Sequence, residues 1–211
     1  YKDSVECYQK ALEINPDYLE SHNNLGNALF VLDEIEMAIK CYEQAIKINP
    51  NYPESFNNLG SAYYRLGLNE EALKNYKHAI KLNPNFADAF NNLGNLLTVL
   101  DRFEEAEINF QKAIEIDPYF AEAYNNLGSI LERLAKINDA VNCFKKAITL
   151  RPNFAAAHNN YGNILGGKLG RLNDAVESFE RAIQINPNLV EALNNLGVTL
   201  SELSRLDEAI D

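Results

Sequence analysis

The chain has 211 residues, of which 46% are hydrophobic and 23% charged, with a formal charge of −11. That composition suits a folded protein with a sizeable core and argues against non-specific binding to nucleic-acid phosphates, which needs a basic surface. An acidic field favours neutral or basic partners, and no apolar run approaches the ~18 residues of a membrane span.

The first stretch, "YKDSVECYQK", fits neither a signal peptide nor a transit peptide and reads as a piece of something longer. Residues 1–18 form one helical segment that stops at Pro16. From there the chain repeats itself. "FNNLG" at Phe56–Gly60 returns at Phe90 and as "YNNLG" at Tyr124, with near-copies from His22, His158 and Leu193. The motif glycine recurs at Gly26, Gly60, Gly94, Gly128, Gly162 and Gly197, at spacings of 34, 34, 34, 34 and 35. Pro16, Pro50, Pro84, Pro118, Pro152 and Pro187 keep the same intervals; Ala38, Ala72, Ala106 and Ala140 also step by 34, followed by Ala175 after a one-residue insertion and by Ala209. With the glycine at position 8 of a unit, full repeats span 19–52, 53–86, 87–120, 121–154 and 155–189. A half-repeat, 1–18, precedes them and a partial repeat, 190–211, follows. The reading is one array over 1–211 without separate domains.

Each unit predicts two helices. Phe56, Leu59, Gly60 and Tyr63 fall at helical spacing, and so do Ala72, Tyr76, Ala79 and Ile80. Gly67 is the expected C-cap of the first helix. Asp17, Asn51, Asn85, Asn153 and Asn188, just after the prolines, are expected N-caps, with Glu20, Glu54, Asp88 and Glu191 three residues on completing a near capping box. Small residues at positions 8 and 20 let the two helices approach. Aromatics at 24 (Tyr8, Tyr42, Tyr76, Phe110, Phe144, Phe179) fill the space between units. A single helix pair cannot bury its apolar face, so the units must stack.

A 34-residue unit with a large residue at 4, Leu-Gly at 7–8, Ala at 20, Phe or Tyr at 24, Ala at 27 and Pro at 32 resembles the tetratricopeptide repeat over essentially the whole chain. The resemblance implies an all-α, right-handed α-α superhelix of helix-turn-helix units, with the first helices lining its concave surface. The asparagine-rich first helices are also similar to the repeats of O-linked N-acetylglucosamine transferases and of many prokaryotic repeat proteins.

On a helical wheel, positions 4, 7, 8 and 11 form a core face and positions 2, 6, 9 and 13 the opposite, open face, with position 5 at the open face's edge. Position 2 is acidic in five of six units. Position 5 carries Asn23, Asn57, Asn91, Asn125, Asn159 and Asn194. Position 6 carries Asn24, Asn58, Asn92, Asn126, Asn160 and Asn195, and position 9 adds Asn27, Ser61, Asn95, Ser129 and Asn163. Asparagine costs roughly 0.5 kcal/mol against alanine inside a helix, so twelve of them need a compensating role. A primary amide can pair bidentately with a peptide unit. In the resembled transferases the position-6 asparagines hold an extended chain by its backbone. The structural alternatives are bonding to the neighbouring unit and simple duplication of an ancestral unit.

Other constellations carry less. "GNILGGK", Gly162–Lys168, matches a phosphate-binding loop except that Leu169 stands where Ser or Thr is needed; it predicts a local irregularity around an inserted residue. His22 and His158 occupy position 4 and read as packed core residues. No Cys/His spacing suits zinc, and no catalytic set or cofactor motif stands out, so the chain reads as no enzyme. The resembled chaperone-tail clamp needs cations where this chain has asparagine and acids; Arg65 and Arg133 at position 13 are the open-face cations. Cys7, Cys41 and Cys143 share one repeat position, too far apart for disulfides, which points to the cytoplasm. The expected function is a scaffold holding an extended, neutral to basic peptide. The alternatives are a substrate-recruiting arm of a glycosyltransferase and end-to-end self-association through the partial last unit.

Overall fold

A computed structural model describes residues 2–203, and among them twelve α-helices and no strand. The helices are α1 (Lys2–Ile14), α2 (Leu19–Val31), α3 (Ile35–Ile48), α4 (Pro53–Arg65), α5 (Asn69–Leu82), α6 (Ala87–Val99), α7 (Phe103–Ile116), α8 (Ala121–Arg133), α9 (Ile137–Leu150), α10 (Ala155–Leu169), α11 (Leu172–Ile185) and α12 (Val190–Glu202). Repeats 19–52, 53–86, 121–154 and 155–189 are each one helical hairpin, with the even-numbered helix first. The second helix expected of the partial last repeat falls on 204–211, outside the described residues.

Contacts divide the chain into two compact units, Tyr1–Arg102 and Phe103–Asp211. In the first, α2 packs on α3 and α4 on α5, while α2 touches α4 and α4 touches α6. In the second, α8 packs on α9 and α10 on α11, while α10 touches both α8 and α12. First helices therefore stack on first helices within each unit.

The core follows the repeat. Ala38, Ala72, Ala106, Ala140 and Ala175 are fully buried, as are Tyr42, Tyr76, Phe110, Phe144 and Phe179. A Cβ on Gly60 would stand 2.8 Å from ring carbons of Tyr76, and one on Gly128 2.7 Å from Phe144. Only glycine lets the ring lie against the first helix's backbone, which is the reason for the Gly–aromatic pairing at positions 8 and 24.

The turn inside each hairpin needs one left-handed residue: Asp33, Gly67, Asp101, Ala135 or Gly170. A bond such as Leu68 N–H to Tyr63 O, 2.9 Å, closes it. The inserted residue is absorbed here. Helix α10 runs to 15 residues against 13 for α8, and Arg171 N–H reaches back to Leu165 O, one residue further than in the other turns.

The prolines end the second helices, but the residue after each proline is not the N-cap. The N-caps are Tyr18, Tyr52, Phe86, Phe120, Phe154 and Leu189, and none makes a side-chain capping bond. The polar residue before the proline does the local work instead. Asn49 Oδ1 accepts from Asn51 N–H at 2.9 Å, Asn83 Oδ1 from Asn85 N–H at 3.0 Å, and Asp117 Oδ1 from Tyr119 N–H at 2.9 Å. This Asx turn bridges the proline, which has no N–H of its own.

Candidate functional site

The paired asparagines divide their labour. The wheel puts position 5 at the edge of the open face, yet Asn23, Asn57, Asn91, Asn125 and Asn159 are only 6–7% exposed. The neighbouring first helix covers Asn23, Asn57, Asn125 and Asn159, which a wheel drawn for one helix cannot show. Asn194, on the last described helix, is exposed.

Position 6 reaches back to the buried row. Asn58 Nδ2 donates to Asn23 Oδ1 at 3.1 Å and Asn92 Nδ2 to Asn57 Oδ1 at 3.0 Å. In the second unit, Asn160 Nδ2 donates to Asn125 Oδ1 and Asn195 Nδ2 to Asn159 Oδ1, both at 3.0 Å. Ser55 Oγ also donates to Asn23 Oδ1. A net gain of about 1 kcal/mol per buried hydrogen bond offsets the helix-propensity cost of one asparagine pair, also about 1 kcal/mol. Asn58, Asn92, Asn160 and Asn195 each use one N–H in this way. The side-chain carbonyls of Asn58, Asn92, Asn160 and Asn195 have no partner among the described residues. The rung fixes the amide plane and leaves one donor and one acceptor per residue unpaired. Asn126 is also bonded, accepting from Asn125 at 3.4 Å, and Asn24 is exposed.

Position 9 meets the aromatic at position 24 when that residue is tyrosine. Tyr42 O–H donates to Asn27 Oδ1 at 2.9 Å and Tyr76 O–H to Ser61 Oγ at 3.2 Å. Burial pushes the Tyr76 hydroxyl up to about 12, so it stays a donor at neutral pH. Asn95 and Asn163, also at position 9, are half-buried, and Asn163 lines a small cleft with Asn195 on α10 and α12.

In the first unit these side chains line a cleft of about 460 Å³ over α2, α4 and α6. Asn58 and Asn92 border it, with Asn27, Ser61, Glu54 and Asp88. The open-face cations are held elsewhere: Arg65 pairs with Asp33 at 2.9 Å, and Arg133 lies 5.2 Å from the centre of the Phe103 ring.

The reading of the histidines changes. His22 and His158 are half-buried rather than packed in the core. Their Nε2 atoms sit 2.7 Å and 3.1 Å from the carbonyls of Pro16 and Pro152, a bond that Phe56 and Phe90 cannot make at the same position. Gly162–Lys168 lies inside helix α10, and no strand precedes it among the described residues, so it builds no phosphate cradle. The thiols are free; burial raises those of Cys41 and Cys143 to about 11, which makes both unreactive at neutral pH. Among the described residues no group of three or more His, Cys, Asp or Glu is placed to hold a metal, and no helix is long and apolar enough to cross a membrane.

Family profiles described as TPR repeat match residues 1–33, 26–67, 66–98 and 167–204, and others described as Tetratricopeptide repeat match 87–120, 121–154 and 143–177. The chain belongs to the tetratricopeptide repeat family. Its hairpins are those of tetratricopeptide solenoid proteins. A search of curated proteins returned no match. Among solved structures, YrrB, described as a TPR protein with an unusual peptide-binding site, is 25% identical, with 90% of this chain and 97% of that chain covered and a TM-score of 0.65. MamA is 26% identical, with 79% and 97% covered and a TM-score of 0.66. A chain of the APC/C hetero-tetramer Cut9–Hcn1 is 16% identical and shares the fold, with a TM-score of 0.85 over 96% of this chain and 40% of that one. Tetratricopeptide arrays of this kind are protein-protein interaction scaffolds.

Proposed function

We propose that the open face of the first helices holds an extended segment of a partner protein, mainly through the position-6 amides. One observation carries this reading: each rung uses a single N–H and leaves a pre-oriented carbonyl and a second N–H in Asn58, Asn92, Asn160 and Asn195. Those two atoms match the C=O and N–H of a peptide unit. Fixing the amides beforehand lowers the entropic cost of binding. The peptide-binding site in the description of YrrB supports the same use of the fold. Within this reading the buried Asn23, Asn57, Asn125 and Asn159 position the amides, while Asn27, Ser61 and Asn163 flank them; Asn91 is buried at the same repeat position.

The test uses an array of unstructured peptides against the full chain, with Asn58→Ala/Asn92→Ala and Asn160→Ala/Asn195→Ala compared separately. Losing two bonds at about 1 kcal/mol each weakens binding by roughly thirtyfold. In parallel, N-methylation of the bound peptides' backbone removes their donors without touching the protein. Unchanged affinity for methylated peptides, or for variants whose helical circular dichroism is intact, overturns the reading.

A further inference from the structure

We infer that the cleft over α2, α4 and α6 carries a subsite for one lysine or arginine side chain of the bound segment, with Glu54 as its counter-ion. This rests on the peptide-binding reading of the open face and adds to it the chemistry of the guest. Glu54 follows Pro53 in the first turn of α4, where a carboxylate is favoured by the helix's N-terminal end. That placement accounts for an acid at this position but not for its surroundings. Oxygen Oε2 of Glu54 is buried and has no hydrogen-bond partner. A desolvated carboxylate oxygen is costly until a donor reaches it.

The second unit shows how the same position is satisfied within the chain. Glu122, the corresponding acid of α8, pairs with Arg151, located 29 residues on. In the repeat of Glu54 the residue at that offset is Asn83. The cation that answers Glu122 from within is therefore missing from the sequence at Glu54. The cleft around it, about 460 Å³, contains no lysine, arginine or histidine among its lining residues, and Asp88 adds a second carboxylate. Phe30 and Phe86 line the same space and offer apolar surface for the methylene stem of a long basic side chain. The unpaired amide carbonyls of Asn58 and Asn92 give the cationic head further acceptors. An unanswered carboxylate, a second acid, uncommitted amide oxygens and an apolar wall together fit a basic side chain better than a neutral or acidic one.

The experiment uses the full chain and peptides identical except at one residue, which is lysine, N-acetyl-lysine or glutamate. The expected result is a preference of about tenfold or more for lysine over acetyl-lysine, the range for a hydrogen bond to a charged group, weakening as salt is raised. Glu54→Gln abolishes that preference while acetyl-lysine peptides bind as before, an outcome that general destabilisation would not produce. Equal binding of lysine and acetyl-lysine peptides to the native protein overturns the subsite and leaves the peptide-binding face standing. A lysine preference that survives Glu54→Gln also overturns it. Absence of binding by all three peptides overturns both readings.

Discussion

Asn58 and Asn23 lie 35 residues apart, and the Nδ2–H of the first meets Oδ1 of the second at 3.1 Å. The bond joins two first helices directly, α4 to α2, and Asn92 repeats it onto Asn57 from α6. It ties register between repeats to a pair of side chains that look, in one dimension, like a polar surface motif.

Asn57→Ala removes the acceptor of one rung and leaves the Asn92 amide without its partner. The expected loss is about 2 kcal/mol, between the value of a made bond and that of an unmet buried group. Asn194→Ala, at an exposed position, changes stability by no more than about 0.5 kcal/mol and in the opposite sense, since alanine is the better helix former. Urea unfolding midpoints of the two variants separate a structural rung from a surface amide.

Gly60→Ala drives a methyl group into the Tyr76 ring, which is buried and held by its hydroxyl on Ser61. Overpacking of this kind costs about 1–3 kcal/mol. Gly167→Ala, inside α10 and with nothing within 4 Å of an added Cβ, gains about 1 kcal/mol from helix propensity. Thermal unfolding of the pair shows opposite shifts.

Ala135 holds a left-handed backbone, φ 59°, where Gly67 and Gly170 stand in other turns. An L-residue with a Cβ pays for that conformation, so Ala135→Gly stabilises by about 1 kcal/mol, read as a raised denaturation midpoint.

Burial lowers the pKa of His158, with the Arg181 charge acting in the same direction and the bond to the Pro152 carbonyl opposing both. Above the unfolded value near 6.5 both states are neutral and the contribution to stability is complete. As pH falls through 6.5 towards the depressed folded pKa, the unfolded chain takes up the proton first and stability is lost. Denaturation midpoints measured between pH 7 and pH 5 fall accordingly, and His158→Phe, the residue type found at Phe56 and Phe90, removes this part of the slope.

The helices were legible because their signals are local. Apolar spacing, the proline stop and the Gly67 turn each act within a few residues, and the structure has hairpins where the sequence predicts them. The Gly–aromatic contact was not legible: recurrence shows small and large residues at fixed offsets but not that each ring lies on the glycine of its own repeat, as Tyr76 does on Gly60. The caps were misread because an asparagine on either side of a proline looks equally suited, and only backbone geometry shows that Asn49 and Asn83 accept the bond while Tyr52 and Phe86 begin the helix. The histidines were misread because a polar residue on a core face gives no hint that a proline carbonyl six residues back lies within reach.

The sequence by itself determined the unit, its length, its two helices and the family, since each depends on interactions inside about one turn or on repetition that can be counted. Tertiary structure alone decided which amide of each pair is buried and which keeps unpaired atoms at the open face. A helical wheel describes one helix in isolation, whereas the bond from Asn58 to Asn23 and the unanswered oxygen of Glu54 exist only once neighbouring first helices are stacked.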